Sequence, residues 1–287
     1  MITWPWSPWI NTAKIDVSHA SNRQRAQHDS ACNVFRHSFV NLTSHLKTNL
    51  PMRQVLLTLT CIFLFANVFG QTTELTASLN SGLFSFTGRS ASSSSFLNYA
   101  PGHGGYTNNP YGSDPGLSYG LSLGIKRVVR RHLLVGVDAG YEVLRSVVHL
   151  NWVSEAGTAT SYSLPAHGQT ILASHFINVE PYVGFRVTPG RLTIDLTGGL
   201  DLAHCLSTRE KGKAVGDNGT TYQTSFNRKT ITSEVRPRGQ LTVGYCKTAV
   251  YAGYSLGLRN YMGGYVGGPV PQAYGRLFRF GIQYRLR

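Results

Sequence analysis

From Gln71 to the C-terminal residue alternation of apolar and polar side chains with a period of two dominates, bounded by Gly, Pro, Asn and Ser clusters, with no convincing helical period. A period of two marks a strand with one apolar and one polar face. Eight such segments are predicted, over 74–86, 117–126, 132–145, 174–187, 191–203, 232–245, 249–259 and 275–286. In the second, Leu117, Tyr119, Leu121, Leu123 and Ile125 share a face opposite Ser118, Gly120, Ser122, Gly124 and Lys126. In the fifth, Leu192, Ile194, Leu196, Leu200 and Leu202 oppose Thr193, Asp195, Thr197 and Asp201. In the eighth, Phe278, Phe280, Ile282, Tyr284 and Leu286 oppose Arg279, Gly281, Gln283 and Arg285. The first is less regular, as a bulge near Gly82 would make it.

The connections alternate in length. Those after the second, fourth and sixth segments are short, around Val128–Arg131, Thr188–Gly190 and Cys246–Thr248. Those after the first, third, fifth and seventh are long and polar, over 87–116, 146–173, 204–231 and 260–274. An all-β, eight-stranded antiparallel up-and-down transmembrane β-barrel has this asymmetry, with short periplasmic turns and long extracellular loops. An even strand count puts both termini on the periplasmic side.

Parity alone leaves open which face looks outward. A soluble lipocalin-like periplasmic barrel would line its cavity with the apolar face. Three features favour the membrane: a polar face rich in Gly and in charges of both signs, the alternation of loop lengths, and aromatics near strand ends (Tyr141, Tyr245, Phe278, Tyr284), as in an interfacial girdle. The same parity then turns Asp138, Glu142, Glu180, Arg186, Asp195, Asp201, Arg236, Arg238, Arg279 and Arg285 into the lumen. Facing lipid, each Arg or Lys at the midplane would cost about 2–4 kcal/mol. An eight-stranded barrel is just wide enough for side chains to fill, so these groups are expected to form a structural plug of ion pairs. Glu180 and Asp195 are expected to pair with Arg236 or Arg238. A narrow selective pore is the functional alternative.

Upstream, MRQVLLTLTCIFLFANVFGQ from Met52 reads as a signal peptide: Arg53 supplies the basic start, Val55–Phe65 the apolar stretch, and Val68 and Gly70 the small-residue cleavage positions. That stretch is too short to span a bilayer, which takes about 20 apolar residues. Residues 1–51 are expected to be a mis-called or disordered extension, 52–70 the signal peptide, and 71–287 the barrel domain, located in the cell outer membrane. The histidines of the extension lack metal-ligand spacing. The whole chain carries 27 Lys and Arg against 13 Asp and Glu. Export argues against nucleic acid as the partner of this excess, and anionic lipid head groups or the lumen remain. Cys205 and Cys246 are expected at opposite ends of the barrel, too far apart to bridge, so both should be free.

Candidate chemistry is thin. His149, His167, His175 and His204 lie near loops among many serines, but no H-x-S or G-x-S-x-G arrangement sits on a strand. The GGYVGG run at 263–268 lacks the Lys and helix of a phosphate loop, and Asp217-Asn218-Gly219 reads as a turn. No cofactor or metal is expected, and no enzyme, with a lipid A-modifying hydrolase or small channel as the alternatives. The expected role is structural or surface interaction through the extracellular loops. The expected partners are outer-membrane lipid, lipopolysaccharide and an extracellular ligand of unknown identity.

The segments EPYVGFRVTP, LTIDLTGGLDLA and the closing LFRFGIQYRLR carry a resemblance to the small outer-membrane β-barrel family, of the OmpA/OmpX and PorT-like kind, over about 75–287. The resemblance implies insertion by the barrel-assembly machinery. Many members end on an aromatic residue, whereas here Tyr284 is followed by Arg285, Leu286 and Arg287. No peptidoglycan-binding module is expected after the last strand.

Overall fold

The computed structural model describes residues 72–102, 104–156, 161–263 and 271–286. They lie in the second of two compact units, Phe69–Arg287. The expected extension, the signal peptide and most of the GGYVGG run fall outside the described residues.

Eleven strands are described: β1 (Thr72–Thr87), β2 (Ser94–Ala100), β3 (Gly104–Thr107), β4 (Asp114–Val129), β5 (Leu133–Ala156), β6 (Ser161–Val187), β7 (Leu192–Gly216), β8 (Thr221–Asn227), β9 (Ser233–Tyr245), β10 (Thr248–Leu256) and β11 (Tyr274–Arg285). Their pairings make two closed cycles that share β5, β6 and β7. In the first, β1, β4, β5, β6, β7, β9, β10 and β11 each pair antiparallel with the next, and β11 returns to β1. In the second, the distal halves of β5, β6 and β7 continue upward and are joined by β8, β3 and β2, which pairs parallel with β5.

The second cycle corrects the sequence reading. The segments 87–116, 146–173 and 204–231, expected as loops, hold β2, β3, β8 and the long extensions of β5, β6 and β7. Alternation hid them for two reasons. Their apolar positions are few and small, because they close only a small core: Leu97, Leu150, Val153, Ala166, Ala214 and Tyr222. Unpaired residues also reset the parity within single strands, at Asn151 on β5 and at Leu206 on β7.

In the first cycle burial is inverted. Leu79 is 71% exposed and Leu196 63%, whereas Arg236 is 1% and Asp201 0% exposed. On β7 the exposed Leu192, Leu196, Leu200 and Leu202 are followed at the bulge by Leu206, which is exposed as well. From Leu192 to Leu202 the span is about 33 Å along the strand, or roughly 25 Å along the axis at the usual tilt. Tyr245 and Tyr284 flank Thr248 at its short-turn edge. At the opposite edge stands Tyr119, with the Arg145 guanidinium 4.9 Å above its ring.

Glycine on the inner face makes room for large polar residues. Gly136 lies opposite Tyr182 and Gly281 opposite Tyr251 in the ladders. A Cβ at Gly136 would stand 2.4 Å from Tyr182 Cζ. At the short-turn end the chain reverses through Arg130 and Arg131 (φ 51° and 70°) and through Cys246 (φ 54°), left-handed positions that ordinarily favour glycine.

Candidate functional site

The interior of the first cycle is built in tiers. The lowest joins Glu74, Lys126, Arg186, Asp195 and Arg285. Arg186 donates to Glu74 (Nη1–Oε1 2.8 Å) and to Asp195 (Nε–Oδ1 2.6 Å). Lys126 Nζ lies 3.3 Å from Glu74 and 3.1 Å from Asp195, and Arg285 lies 3.1 Å from Glu74. The tier above joins Glu142, Glu180, Asp201, Arg236, Arg238 and Arg279. Arg279 donates to Glu180 at 2.9 Å, to Glu142 at 2.5 Å and to Asp201 at 3.3 Å. Arg236 bonds Asp201 at 2.8 Å and also Glu142, while Arg238 bonds Glu180. Between the tiers, Asp138 accepts from the Tyr182 hydroxyl at 3.4 Å. A void there, lined in part by Lys126, Asp138, Glu180 and Arg238, opens about 30 Å3 to the centres of water-sized molecules, room for about two waters.

All ten residues expected in the lumen are thus brought to one interior. One expected pairing differs. Glu180 does meet Arg238, but Asp195 meets Arg186 and Lys126, because Asp195 and Arg186 face each other directly in the β6–β7 ladder. Glu74–Lys126 and Asp201–Arg236 are likewise direct ladder partners. Contacts such as Arg279–Glu180 cross the lumen and exist only because the cycle closes. Sequence reasoning missed Glu74 and Glu234 and left Lys126, already placed on the polar face, out of the lumen set. Each shares the parity of an inward neighbour (Thr76, Gly124 and Arg236), and that parity was signal enough to find them.

An aromatic cap covers this interior at the end with long connections. The Phe86 ring packs edge-on at 5.0 Å from Phe84, 5.1 Å from Tyr111 and 4.8 Å from Tyr261. The Tyr261 hydroxyl donates to Glu234 Oε2 at 2.7 Å. Above the cap, inside the second cycle, Glu210 accepts from the Thr107 N–H at 2.6 Å and from Arg228 Nε at 2.7 Å. The small apolar core comes next, and at its edge Glu155 accepts from Tyr162 (2.6 Å) and Tyr222 (3.0 Å). The bond to Glu155 holds the Tyr162 proton and pushes that phenol up to about 12.

The candidate catalytic histidines are dispersed. His175 Nδ1 shares a 2.6 Å hydrogen bond with Tyr141, and His149 lies 3.2 Å from Asp114. Among the described residues no ring nitrogen of the four bonds a serine hydroxyl. Asp217–Gly219 forms the β7–β8 turn, with Gly219 at φ 76° and Asn218 Oδ1 accepting from the Thr220 N–H. Cys205 and Cys246 are free. No group of metal-ligating side chains occurs among the described residues.

No family model matches the chain, and no curated protein matches it. Among solved structures it is similar to the Neisserial surface protein A, at 10% identity over 76% of this chain and 99% of that one, with a TM-score of 0.30. It is also similar to Ail, the attachment invasion locus protein of Yersinia pestis, at 11% identity over 76% and 100%, with a TM-score of 0.29. A Pseudomonas aeruginosa FadL homologue aligns at 8% identity over 77% and 92%, with a TM-score of 0.20. Likenesses this slight assign no function to the chain.

Proposed function

We propose that the chain is an outer-membrane β-barrel of eight spanning strands, closed to solutes, that works through the six-stranded extension raised above the membrane. The observation that carries this reading is the inverted burial of the first cycle: an apolar belt about 25 Å tall outside and paired guanidinium and carboxylate groups within. Water on both sides of that wall would leave the exposed leucines without a partner, whereas lipid supplies one. The short-turn end and both termini are then periplasmic, and the second cycle is extracellular.

The interior ion pairs are structural in this reading. Two tiers of bonded side chains and an aromatic cap leave gaps of water size, so the barrel neither conducts nor binds a substrate inside. The extension has its own core and shared strands, which make it a rigid surface for contact with partners.

Fractionation with N-terminal sequencing tests the scheme. Recovery in the outer membrane, a first residue near Gln71 and a heat-modifiable gel band are expected. A soluble chain that retains Met1 would sink it. In a planar bilayer the protein is expected to be silent. Steady conductance would replace the plug with a pore, and loss of acyl chains from added lipopolysaccharide would replace the binding role with an enzyme.

A further inference from the structure

We infer that the short-turn end of the barrel is a docking surface for anionic glycerophospholipids of the periplasmic leaflet. The inference rests on the barrel reading and gives its periplasmic rim a partner.

Each of the three short turns carries a cation. Arg130 and Arg131 lie between β4 and β5, Arg191 closes the turn between β6 and β7, and Lys247 lies between β9 and β10. All four are exposed. The acids of this end are Glu74 and Asp195. Both are buried, and both pair with Lys126, Arg186 or Arg285. The carboxylates that are not buried among the described residues are Asp114, Glu155 and Asp217, and they stand at the opposite end. The turn cations therefore have no acidic partner among the described residues. Like charges gathered on one rim repel one another until an anion sits beside them.

The backbone adds a second mark. Arg130 and Arg131 hold φ of 51° and 70°, where glycine would sit without strain. Side chains kept at such a cost point to a use for them. Arg127 adds charge from the wall. Its ladder partners are Thr73 and Val135, and its parity is opposite to that of the inward Lys126. It thus lies on the outer face two residues above the turn, and a stem of its length runs down apolar surface to the same level.

Position selects a lipid over a partner in the open periplasm. The last ladder rungs at this end are Val129 with Leu133, Leu192 with Tyr245, and Tyr245 with Thr248. Leu133, Leu192 and Tyr245 are exposed members of the belt. Arg130, Arg191 and Lys247 each stand one residue beyond a rung, about 3 Å further along the strand. The head-group layer adds about 5–8 Å to each side of the hydrocarbon. The turns cover 130–132, 188–191 and 246–247, too few residues to carry the cations past that layer.

The test uses the mature chain in phosphatidylcholine nanodiscs that contain phosphatidylglycerol, and native mass spectrometry counts the lipids retained. A cation near the surface contributes about five-fold to holding an anionic lipid. The variant Arg130→Gln, Arg131→Gln, Arg191→Gln, Lys247→Gln should therefore lose at least about five-fold of the preference for phosphatidylglycerol. Arg130→Lys with Arg131→Lys and Arg191→Lys should keep it, because charge is what the phosphate reads. Arg131→Gly should weaken the preference while the barrel unfolds at higher urea, which separates lipid binding from damage to the fold. Lys211→Gln with Lys213→Gln should change nothing, since those positions stand roughly 13 and 18 Å above Leu206 at the usual rise and tilt. On the unmodified chain, about 500 mM salt should abolish the preference. Equal retention of both lipids, or a preference that survives the four-fold glutamine variant, overturns the inference. Pelleting of the detergent-solubilised chain with peptidoglycan, lost in that variant, would assign the rim to the cell wall and overturns it too. A chain that never enters the nanodisc sinks the barrel reading as well, whereas one that enters and shows no preference sinks only this inference.

Discussion

The two cycles of this sheet share three strands and obey opposite rules. In the lower cycle β5, β6 and β7 turn leucine, valine and phenylalanine outward and hold ion pairs inside. In the upper cycle the same strands turn Leu150, Val153, Ala166 and Ala214 inward and present His149, His167, Arg209 and Lys211 outside. Backbone geometry and pairing are alike in both. On the proposed outer-membrane reading, what differs is the medium that each outer wall meets. A wall against lipid can be apolar only outside and leaves the lumen to polar groups, and a wall against water reverses this. Of the three, only β7 shifts its parity between the two regions, at Leu206; β6 keeps its even-numbered positions inward throughout, and on β5 Leu150 already faces the upper core before the bulge.

If the comparison holds, damage inside the lower cycle is electrostatic and damage inside the upper is steric and local. The largest effect is expected for Arg236→Met. It strips Asp201 and Glu142 of a shared partner in a dry interior, and breaking a buried pair in this way costs about 3–5 kcal/mol. Urea unfolding in lipid vesicles should register this, and a loss below about 1 kcal/mol would mean that Arg279 and water suffice to hold those carboxylates without Arg236. Next is Leu150→Ala in the upper core, at about 2–5 kcal/mol. Limited proteolysis should cut within 94–107 and 221–227 while the heat-modifiable band persists. Loss of that band would show the two cycles to be one cooperative unit.

A third comparison pits an inward glycine against an outward leucine. Gly136→Val forces a side chain against the Tyr182 ring and should cost about 1–3 kcal/mol. Leu79→Ala on the lipid face should cost less than a core truncation, because the side chain is exposed to lipid rather than packed. Reversal of that order in vesicle unfolding would place the apolar face inside. The smallest effect is a gain: Arg131→Gly relieves a left-handed position at φ 70° and should stabilise the barrel by about 0.5–1 kcal/mol. No gain would show that the turn is already held by its neighbours.

Much of the lower cycle was legible because an apolar outer face and a charged inner face force a long unbroken alternation. Strands such as β4 and β11 carry it for ten residues or more, and the short turns between β4 and β5 and between β9 and β10 punctuate it. The ten interior charges followed from parity, and so would Glu74, Lys126 and Glu234 had the same rule been carried to the strand ends. The upper cycle was not legible. Its core is small and its alternation is broken by bulges. Its closing pairs, β2 with β5 and β3 with β8, are parallel contacts between segments far apart in sequence.

By itself, then, the sequence determined an all-β chain with one apolar and one charged face per strand, and which charges belong together on that inner face. Periodicity and side-chain chemistry suffice for this, because they are properties of each strand alone. Only the tertiary structure decided that Arg279 reaches Glu142 and Glu180 across the lumen, that the supposed loops close a second ring, and that a single unpaired Leu206 turns Arg209, Lys211 and Lys213 outward. These depend on register and closure, which bring residues together through pairings that no local pattern encodes.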